Sequence, residues 1–348
     1  MSTLFEDYLN KHSEADWLAA IDKLSPGIHE VDRTAVQIWF RFYPLSLFRY
    51  LQMAEDREAT MSAFRMQGSY DLKDQVDTSH HFLYGHRYWK TVKAAIEAEM
   101  QTFSGESVDL ADEISQVAAM VAEKLKVDPS LVIAITAVGM MTLVQAGVEA
   151  FQAAPGEVEK PKGIMSKKPD AIVAERAKDD SQGLLGFLKT VNKEFSIRYD
   201  ENSSAGKFRI MNEQELTGAS ANDTTQNWLE IDERRRDGVI PIECTAASCG
   251  TCWIGVLGGQ EKLSDVDRRE RRATKVFGYG QPDELNPFLR LACQAKAHGN
   301  ATIVIPPWNG VFGKAVYKNV EVVELEPVTT SAKALREAVR EATSGDQP

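Results

Sequence analysis

Apolar residues recur every three or four positions up to about residue 151 and then alternate in short runs, so a helical part precedes a strand-rich part. The helical spacing is clear through Trp17, Ile21 and Leu24, and again at 92–100 and 109–125. Residues 1–151 are therefore predicted to form an all-α domain.

An aromatic segment from Trp39 to Phe48 contains Pro44, which kinks or breaks a helix because it has no amide hydrogen and its ring collides with the preceding turn. Aromatic residues at helical spacing usually fill a core. We expect this segment to be buried, with Arg41 and Arg49 pointing outward. A cofactor wall and a membrane-facing surface are the alternatives.

The most apolar segment runs from Leu131 to Val148 and contains no charged residue. It follows Asp128, Pro129 and Ser130, and these residue types are favoured at the start of a helix. Its length approaches that of a membrane span, but it contains threonine, glutamine and glycine and has no cationic ends. We expect a helix buried in the centre of the domain; contact with a membrane is the alternative.

The pattern changes after residue 151. Residues 152–183 combine proline, glycine and mixed charge with little periodicity, which is typical of a linker or a surface connection. Alternating apolar and polar residues then predict strands at 194–199 and 207–211, and a further strand closes at 301–305.

Two helices are predicted in the C-terminal half. Asp223 and Thr224 are N-cap candidates for a helix whose apolar face includes Trp228. A second, amphipathic helix is expected from Ser331 to Thr343. The predicted organisation is a helical domain at 1–151, a linker at 152–183, a second domain at 184–325 and a C-terminal helix and tail at 326–348.

Composition and charge narrow the classes of function. The chain has 348 residues, enough for two domains, and its 43% hydrophobic and 26% charged residues are typical of a globular protein. The net charge of -11 would repel phosphates, so nucleic acid is not an expected partner. The N-terminus shows no cationic region followed by an apolar run, so we expect a cytoplasmic location, with association with a membrane complex left open.

The four cysteines have the spacing of metal ligands, C-x4-C-x2-C followed by one distant cysteine, at Cys244, Cys249, Cys252 and Cys293. Each iron of a 2Fe-2S cluster needs two protein thiolates, and three of the four can come from one tight loop. The loop is made of small residues, which let backbone amides approach the sulfurs. Structural zinc is the alternative, although zinc sites usually show two short C-x2-C pairs.

Residues 190–320 resemble the plant-type 2Fe-2S ferredoxin family. Paired strands, a helix, the cysteine loop, a late Leu-x-Cys and a final Thr-Ile-Val-Ile strand occur in the family's order. The resemblance implies a β-grasp fold crossed by a helix near Trp228, and hence an α+β two-domain chain. It also implies that two cysteine pairs each hold one iron of a single cluster, Cys244 with Cys249 and Cys252 with Cys293.

The sequence departs from the family pattern at two places. Ala247 stands where the family most often has glycine, so a positive φ there would be strained. Forty residues separate Cys252 from Cys293, against roughly thirty in plant ferredoxins. We expect the added residues to lie around 264–275 and 277–280. Because of this insertion, we do not assume that the domain uses the docking surface of photosynthetic ferredoxins.

Histidines and arginines offer further candidates. His80, His81 and His86 are expected to be surface or hydrogen-bonded core residues, with haem ligation as the alternative. His298 is expected at the surface, because four cysteines already complete the ligand set of an iron–sulfur cluster.

Two arginine clusters occur in the C-terminal half, at Arg234, Arg235 and Arg236, and at Arg268, Arg269, Arg271 and Arg272. The acids Asp265, Asp267 and Glu270 favour a solvated, salt-bridged helix face for the second arginine cluster. A docking patch for a redox partner is the alternative for both arginine clusters.

The predicted function is one-electron transfer near roughly -400 mV, by a ferredoxin-like donor or a subunit of a larger redox complex. No G-x-G-x-x-G after a strand and no P-loop occurs, so no built-in NAD or flavin site is predicted. Redox proteins are therefore expected both as the electron donor and as the electron acceptor of the chain. The alternatives are a redox-sensing regulatory protein and an oxidoreductase with an additional cofactor in the helical domain.

Overall fold

The computed structural model describes residues 3–105, 109–178, 193–199, 206–280 and 287–317. Contacts divide the described residues into two units, the first made of 3–53, 70–105 and 109–175 and the second of 54–69, 176–178 and all those from 193 onward. The predicted C-terminal helix and tail at 326–348 and the linker residues 179–183 lie outside the described residues. The predicted domain boundaries stay predictions.

The described residues up to 178 form ten α-helices: α1 (Leu4–Asn10), α2 (Glu14–Leu24), α3 (Glu30–Phe42), α4 (Leu45–Gln52), α5 (Arg57–Ala63), α6 (Trp89–Thr102), α7 (Leu110–Leu125), α8 (Ile133–Ala146), α9 (Val148–Ala153) and α10 (Pro169–Arg176). All except α5 lie within the first unit or begin there. Local sequence sets their ends. Ser13 and Asp16 form a reciprocal capping box at the start of α2, and Pro44 separates α3 from α4 as the sequence predicts.

Helix α8 lies in the core of the first unit, as expected for the apolar segment. The twelve residues from Ala134 to Gln145 are all buried. Its polar side chains have partners, since the hydroxyls of Thr136 and Thr142 donate to carbonyls four residues earlier and Gln145 donates to the Tyr43 carbonyl. Among the described residues, no helix has the length and apolar character needed to cross a membrane.

The aromatic segment is mostly buried, as predicted, and only its last residue among the aromatics, Phe48, is partly exposed. Trp39 is fully buried and Phe40 is 4% exposed. Arg41 and Arg49, which were expected to point outward, are partly exposed. Arg49 donates to the carbonyls of Asn10 and His12, so it ties α4 to the end of α1.

The second unit contains seven described strands: β1 (Gln67–Gly68), β2 (Glu194–Tyr199), β3 (Gly206–Met211), β4 (Trp253–Gly258), β5 (Leu289–Leu291), β6 (Ala301–Val304) and β7 (Trp308–Asn309). Five form a mixed sheet in the order β3-β2-β6-β4-β5, with β2 parallel to β6 and the other pairs antiparallel. The strands predicted at 194–199, 207–211 and 301–305 are confirmed as β2, β3 and β6. Besides α5, four helices belong to this unit: α11 (Leu216–Ser220), α12 (Trp228–Ile231), α13 (Arg268–Phe277) and α14 (Gly313–Val316).

The predicted start of the helix at Asp223 or Thr224 is wrong. Helix α12 begins only at Trp228, after Asn227, and has four residues. The Asp223 side chain instead accepts from the Thr225 amide, and the Trp228 indole donates to the Asp223 carbonyl. These local bonds hold a turn in place of a first helical turn.

Residues 54–69 belong to the second unit although they lie within the predicted helical domain. Strand β1 pairs antiparallel with β7. The amide of Ser69 donates to the Pro307 carbonyl, and the amide of Val311 donates to the Phe64 carbonyl. A segment from the first fifth of the chain therefore becomes part of the unit that holds the four cysteines.

Candidate metal centre

The pairing of β4 with β5 brings the fourth cysteine back to the cysteine loop. Trp253 lies opposite Leu291 in this antiparallel pair. Cys252 immediately precedes β4 and Cys293 follows β5, so both stand at the same end of the sheet. The Ala292 amide donates to the Cys252 carbonyl over 2.9 Å, which fixes the return of the chain.

The four thiols form two pairs. The Cys244 and Cys249 thiols lie within hydrogen-bonding reach of each other, and so do those of Cys252 and Cys293. Electrostatic interactions of Cys249 with Cys252 and of Cys244 with Cys293 link the two pairs. Cys244, Cys252 and Cys293 are buried and Cys249 is partly exposed.

The pairing shifts the pKa values of the thiols in opposite directions. A hydrogen bond from Cys249 lowers the pKa of Cys244 to about 6, and backbone amides contribute. The hydrogen bond with Cys252 likewise lowers the pKa of Cys293. In each pair the same hydrogen bond lowers the pKa of one thiol and raises that of its partner, Cys249 or Cys252. The thiolate is the form that binds a metal.

Backbone amides of the loop point at the sulfurs. The amide of Ser248 lies 3.4 Å from the Sγ atom of Cys244, and further amides contact the thiols from Ala246, Ala247, Cys249 and Thr251. This geometry requires positive φ values at Ala247 (53°) and Gly250 (74°). The expected strain at Ala247 is therefore present, since a side chain disfavours the left-handed region.

Gln294 follows the last cysteine and connects the two cysteine-bearing segments. Its side-chain amide lies 3.3 Å from the Cys293 Sγ atom and 3.0 Å from the Thr245 carbonyl oxygen. It therefore joins Cys293 to the loop that carries Cys244.

Two stacked aromatic residues, Trp253 and Tyr279, pack next to the cysteine loop. The rings of Trp253 and Tyr279 stack with centroids 3.8 Å apart. The Tyr279 hydroxyl lies 3.1 Å from the Gly250 carbonyl oxygen and 2.8 Å from that of Gly310. Burial raises the pKa of Tyr279 well above its ordinary value. From the sequence, Tyr279 is assigned only to the residues added relative to plant ferredoxins. The sequence does not predict that this side chain contacts the cysteine loop.

A second set of supporting residues comes from segment 54–69 and from the residue before Cys244. The Gln67 side-chain amide donates to Glu243 over 3.1 Å, and the Thr251 hydroxyl lies 3.4 Å from the other Glu243 oxygen. Sequence patterns gave no signal for this bridge, because Gln67 and Glu243 are 176 positions apart.

The first arginine cluster is not an exposed patch. Arg234 and Arg235 are buried, and only Arg236 is exposed. Arg234 donates to Asp232, to the Asn309 side chain and to the Pro306 carbonyl. Its charge is used inside the unit, which rules out the docking alternative for this residue.

The second cluster differs from the prediction at one position. Glu270 is 1% exposed and accepts two hydrogen bonds from Arg290, so it does not belong to a solvated face. The basic residues of α13 are exposed as expected: Arg268, Arg269, Arg271, Arg272 and Lys275.

His80 and His86 are core residues, as expected. Their Nδ1 atoms lie 2.8 Å apart, and the His80 Nε2 atom lies 3.1 Å from the Val76 carbonyl oxygen. His81 is exposed and contacts the Thr78 carbonyl. His298 is also exposed, with Nδ1 3.7 Å from a Glu213 carboxylate oxygen.

Residues 213–298 match the family model of the 2Fe-2S iron-sulfur cluster binding domain. The C-terminal part of the chain therefore carries a 2Fe-2S domain, a class of domain with a general role in electron transfer, and the match spans all four cysteines. No family matches the N-terminal part. No solved structure matches the chain.

The residues present fit such a cluster. The four thiols form two neighbouring pairs. Two pairs of thiolates are the donor set that two bridged irons require.

Proposed function

We propose that the chain carries one 2Fe-2S cluster and transfers single electrons between partner proteins. Cys244 and Cys249 would hold one iron, Cys252 and Cys293 the other, and the second unit would adopt a β-grasp fold. The observation that carries this proposal is the set of four thiols, paired and mostly buried beneath backbone amides.

The chain's own residues would control the properties of the cluster. When bound, a 2Fe-2S cluster accepts and releases one electron. The loop amides and Gln294 would stabilise negative charge on the sulfurs. Trp253 and Tyr279 would keep water from the inner side, because both are 1% exposed.

The chain would act as a dedicated donor or as a subunit of a larger redox complex. The sequence shows no nucleotide-binding motif of its own. Electrons would therefore arrive from one protein and leave to another. Turnover of a small-molecule substrate by the purified chain alone would contradict this role.

Low-temperature EPR of the anaerobically purified chain, before and after dithionite, tests the proposal. We expect a rhombic signal only after reduction, at about one spin per chain. The matched variants Cys293→Ser and Ser264→Ala separate ligand loss from general damage, and only the first is expected to abolish the signal. A folded wild-type chain without any signal in either state would refute the proposal.

A redox-sensing role is a second candidate, which the bridge from Gln67 through Glu243 to Thr251 favours. Segment 54–69 continues at both ends into the first unit. A change at the cysteine loop could thus alter this segment. Hydrogen exchange of residues 54–69 that differs between the oxidised and reduced holoprotein would support sensing, and identical exchange would count against it.

A further inference from the structure

Helix α13 presents a basic face in an acidic protein. Its buried residues are Glu270, Ala273, Val276 and Phe277. Its exposed basic residues, called here the α13 basic face, are Arg268, Arg269, Arg271, Arg272 and Lys275. The chain as a whole has a net charge of -11. Positive charge is thus concentrated on one helix against the overall sign.

The same helix is fixed to both segments that carry the cysteines. A Cβ atom added at Gly250, between Cys249 and Cys252, would lie 3.2 Å from the Phe277 ring. Glu270 accepts from the amide of Leu291, two residues before Cys293, over 2.7 Å. Helix α13, which carries the α13 basic face on its exposed side, therefore packs against the cysteine loop and the segment that leads to Cys293.

Within the described residues 265–275, exposed cations outnumber exposed carboxylates. The Glu270 charge is used inside the unit by Arg290, at 2.9 and 3.0 Å. Asp267 caps the helix by accepting from the Glu270 amide, and Asp265 is exposed just before it. Two exposed carboxylates thus stand against five exposed cations between residues 265 and 275.

We propose that the α13 basic face is the docking surface for an acidic protein that exchanges one electron with the cluster. This inference rests on the proposed function and names the chemistry of the partner. In the exchange, one species loses one electron and the other gains it, with no bond made or broken. Placement beside the cysteine loop favours a redox partner over nucleic acid or anionic lipid, because only electron transfer depends on closeness to the cluster.

Small redox reagents of opposite charge can probe this surface while the partner is unidentified. The dithionite-reduced holoprotein is mixed with anionic cobalt(III)–EDTA or with cationic hexaamminecobalt(III), and cluster oxidation is followed by stopped-flow absorbance. Each cobalt(III) gains one electron and becomes cobalt(II). We expect the reaction with the anion to slow as salt is raised, as for attraction, despite the negative net charge.

Two triple variants with the same change in net charge separate a local from a global effect. The first is Arg268→Glu, Arg271→Glu and Arg272→Glu. The second, Lys193→Glu, Lys207→Glu and Arg209→Glu, lies at and beside strand β3, the opposite edge of the sheet from β5. We expect the first to slow the anionic reagent about tenfold or more and to reverse its salt dependence. The second is expected to have a much smaller effect.

Three outcomes would overturn the docking surface. The two triples could change the rates equally, which would make net charge the cause. The reaction of the wild type with the anionic reagent could become faster as salt is raised, as for repulsion. Binding to phosphatidylserine vesicles or to a DNA duplex could be lost in the first triple while its cobalt rates stay unchanged. A missing EPR signal on reduction would instead be a failure of the proposed function, and it is measured before any rate.

Discussion

Gln294 is a single residue whose contacts affect a sulfur of the proposed cluster. Its side-chain amide lies 3.3 Å from the Cys293 Sγ atom. A hydrogen bond to a ligand sulfur stabilises the reduced state, which carries more negative charge. Cysteine spacing alone does not specify this contact, because the side chain could equally have pointed into solvent.

We expect Gln294→Met to make the reduction potential more negative. The loss of one neutral hydrogen bond corresponds to roughly 20–60 mV for a one-electron couple. The measurement is an EPR-monitored redox titration of the holoprotein. Gln260→Met is the matched control, since the described hydrogen bond of the Gln260 side chain goes to the Val256 carbonyl. An unchanged potential in Gln294→Met would mean that this bond does not tune the cluster.

The buried pair of His80 and His86 makes the stability of the protein depend on pH. Burial lowers the pKa of His86 from 6.5 to about 3, with smaller effects of the His81 and Arg87 charges. Burial, followed by the charge of His86, also lowers the pKa of His80 well below its ordinary value. Both rings are therefore neutral in the folded protein and would take up protons on unfolding below about pH 6.5.

The thermal midpoint of the helical signal is expected to fall as the pH is lowered from about 6.5 towards 4, and to be steady above about 7. The unfolded chain binds more protons in that window, so folding stability is lost there. His86→Gln, which can still donate to His80, is expected to flatten the profile. His81→Gln should keep the wild-type profile. Equal slopes in both variants would exclude the buried pair as the origin.

Helix α13 depends on one buried ion pair for its position. The Glu270 carboxylate binds Arg290 through both oxygens, and the two side chains are 1% and 2% exposed. Removal of one member leaves the other charge buried without its counter-ion, which is costly in a low-dielectric interior. The pair therefore fixes α13 more than it adds net stability.

Glu270→Gln is expected to lower the free energy of unfolding by about 3 kcal/mol or more. The double variant Glu270→Gln/Arg290→Met should recover most of this loss, because it leaves no unpaired charge and keeps an acceptor for the Leu291 amide. Urea unfolding of the single and the double variant, followed by circular dichroism and by cluster absorbance, measures the two changes in stability. Glu159→Gln, in the exposed pair with Lys162, is the control and should leave the midpoint unchanged. A similar response to the two single variants would contradict a specific role of the buried pair.

At the scale of the whole molecule, segment 54–69 makes the cysteine-bearing unit depend on residues from the N-terminal half. Gly68 has φ 82°, and a Cβ atom there would lie 2.2 Å from the Pro307 carbonyl oxygen and 2.8 Å from the Arg234 Nε atom. Only a glycine allows this close approach of β1 to the chain around β7.

Gly68→Ala is expected to accelerate loss of the cluster in urea, because it displaces β1 from β7. Gly105→Ala is the matched control. Gly105 has φ 81°, and a Cβ atom there would meet no atom of the described residues within 4 Å. It should cost only the backbone strain of about 1 kcal/mol and leave the cluster as stable as in the wild type. Equal rates of cluster loss in the two variants would show that segment 54–69 does not support the cysteine loop.

The sequence by itself determined the features that depend on neighbouring residues. Helical spacing, alternation in β2 and β3, the helix break at Pro44 and the grouping of three cysteines in one loop all involve residues a few positions apart. Such patterns act through local backbone geometry, so they can be recognised in one dimension. The short α12 is the exception, because side-chain bonds of Asp223 compete with the helical turn.

Only the tertiary structure decided which charged residues are buried and which segment joins which unit. Arg234 binds Asn309, 75 positions away, and Glu270 binds Arg290, 20 positions away. Strand β1 pairs with β7 across most of the chain. A buried charge is tolerated only when the fold supplies its partner, and no local pattern records a partner so distant in sequence. For this reason the cysteines could be proposed as ligands from spacing alone, whereas Gln67, Glu243 and the anchoring of α13 required the fold.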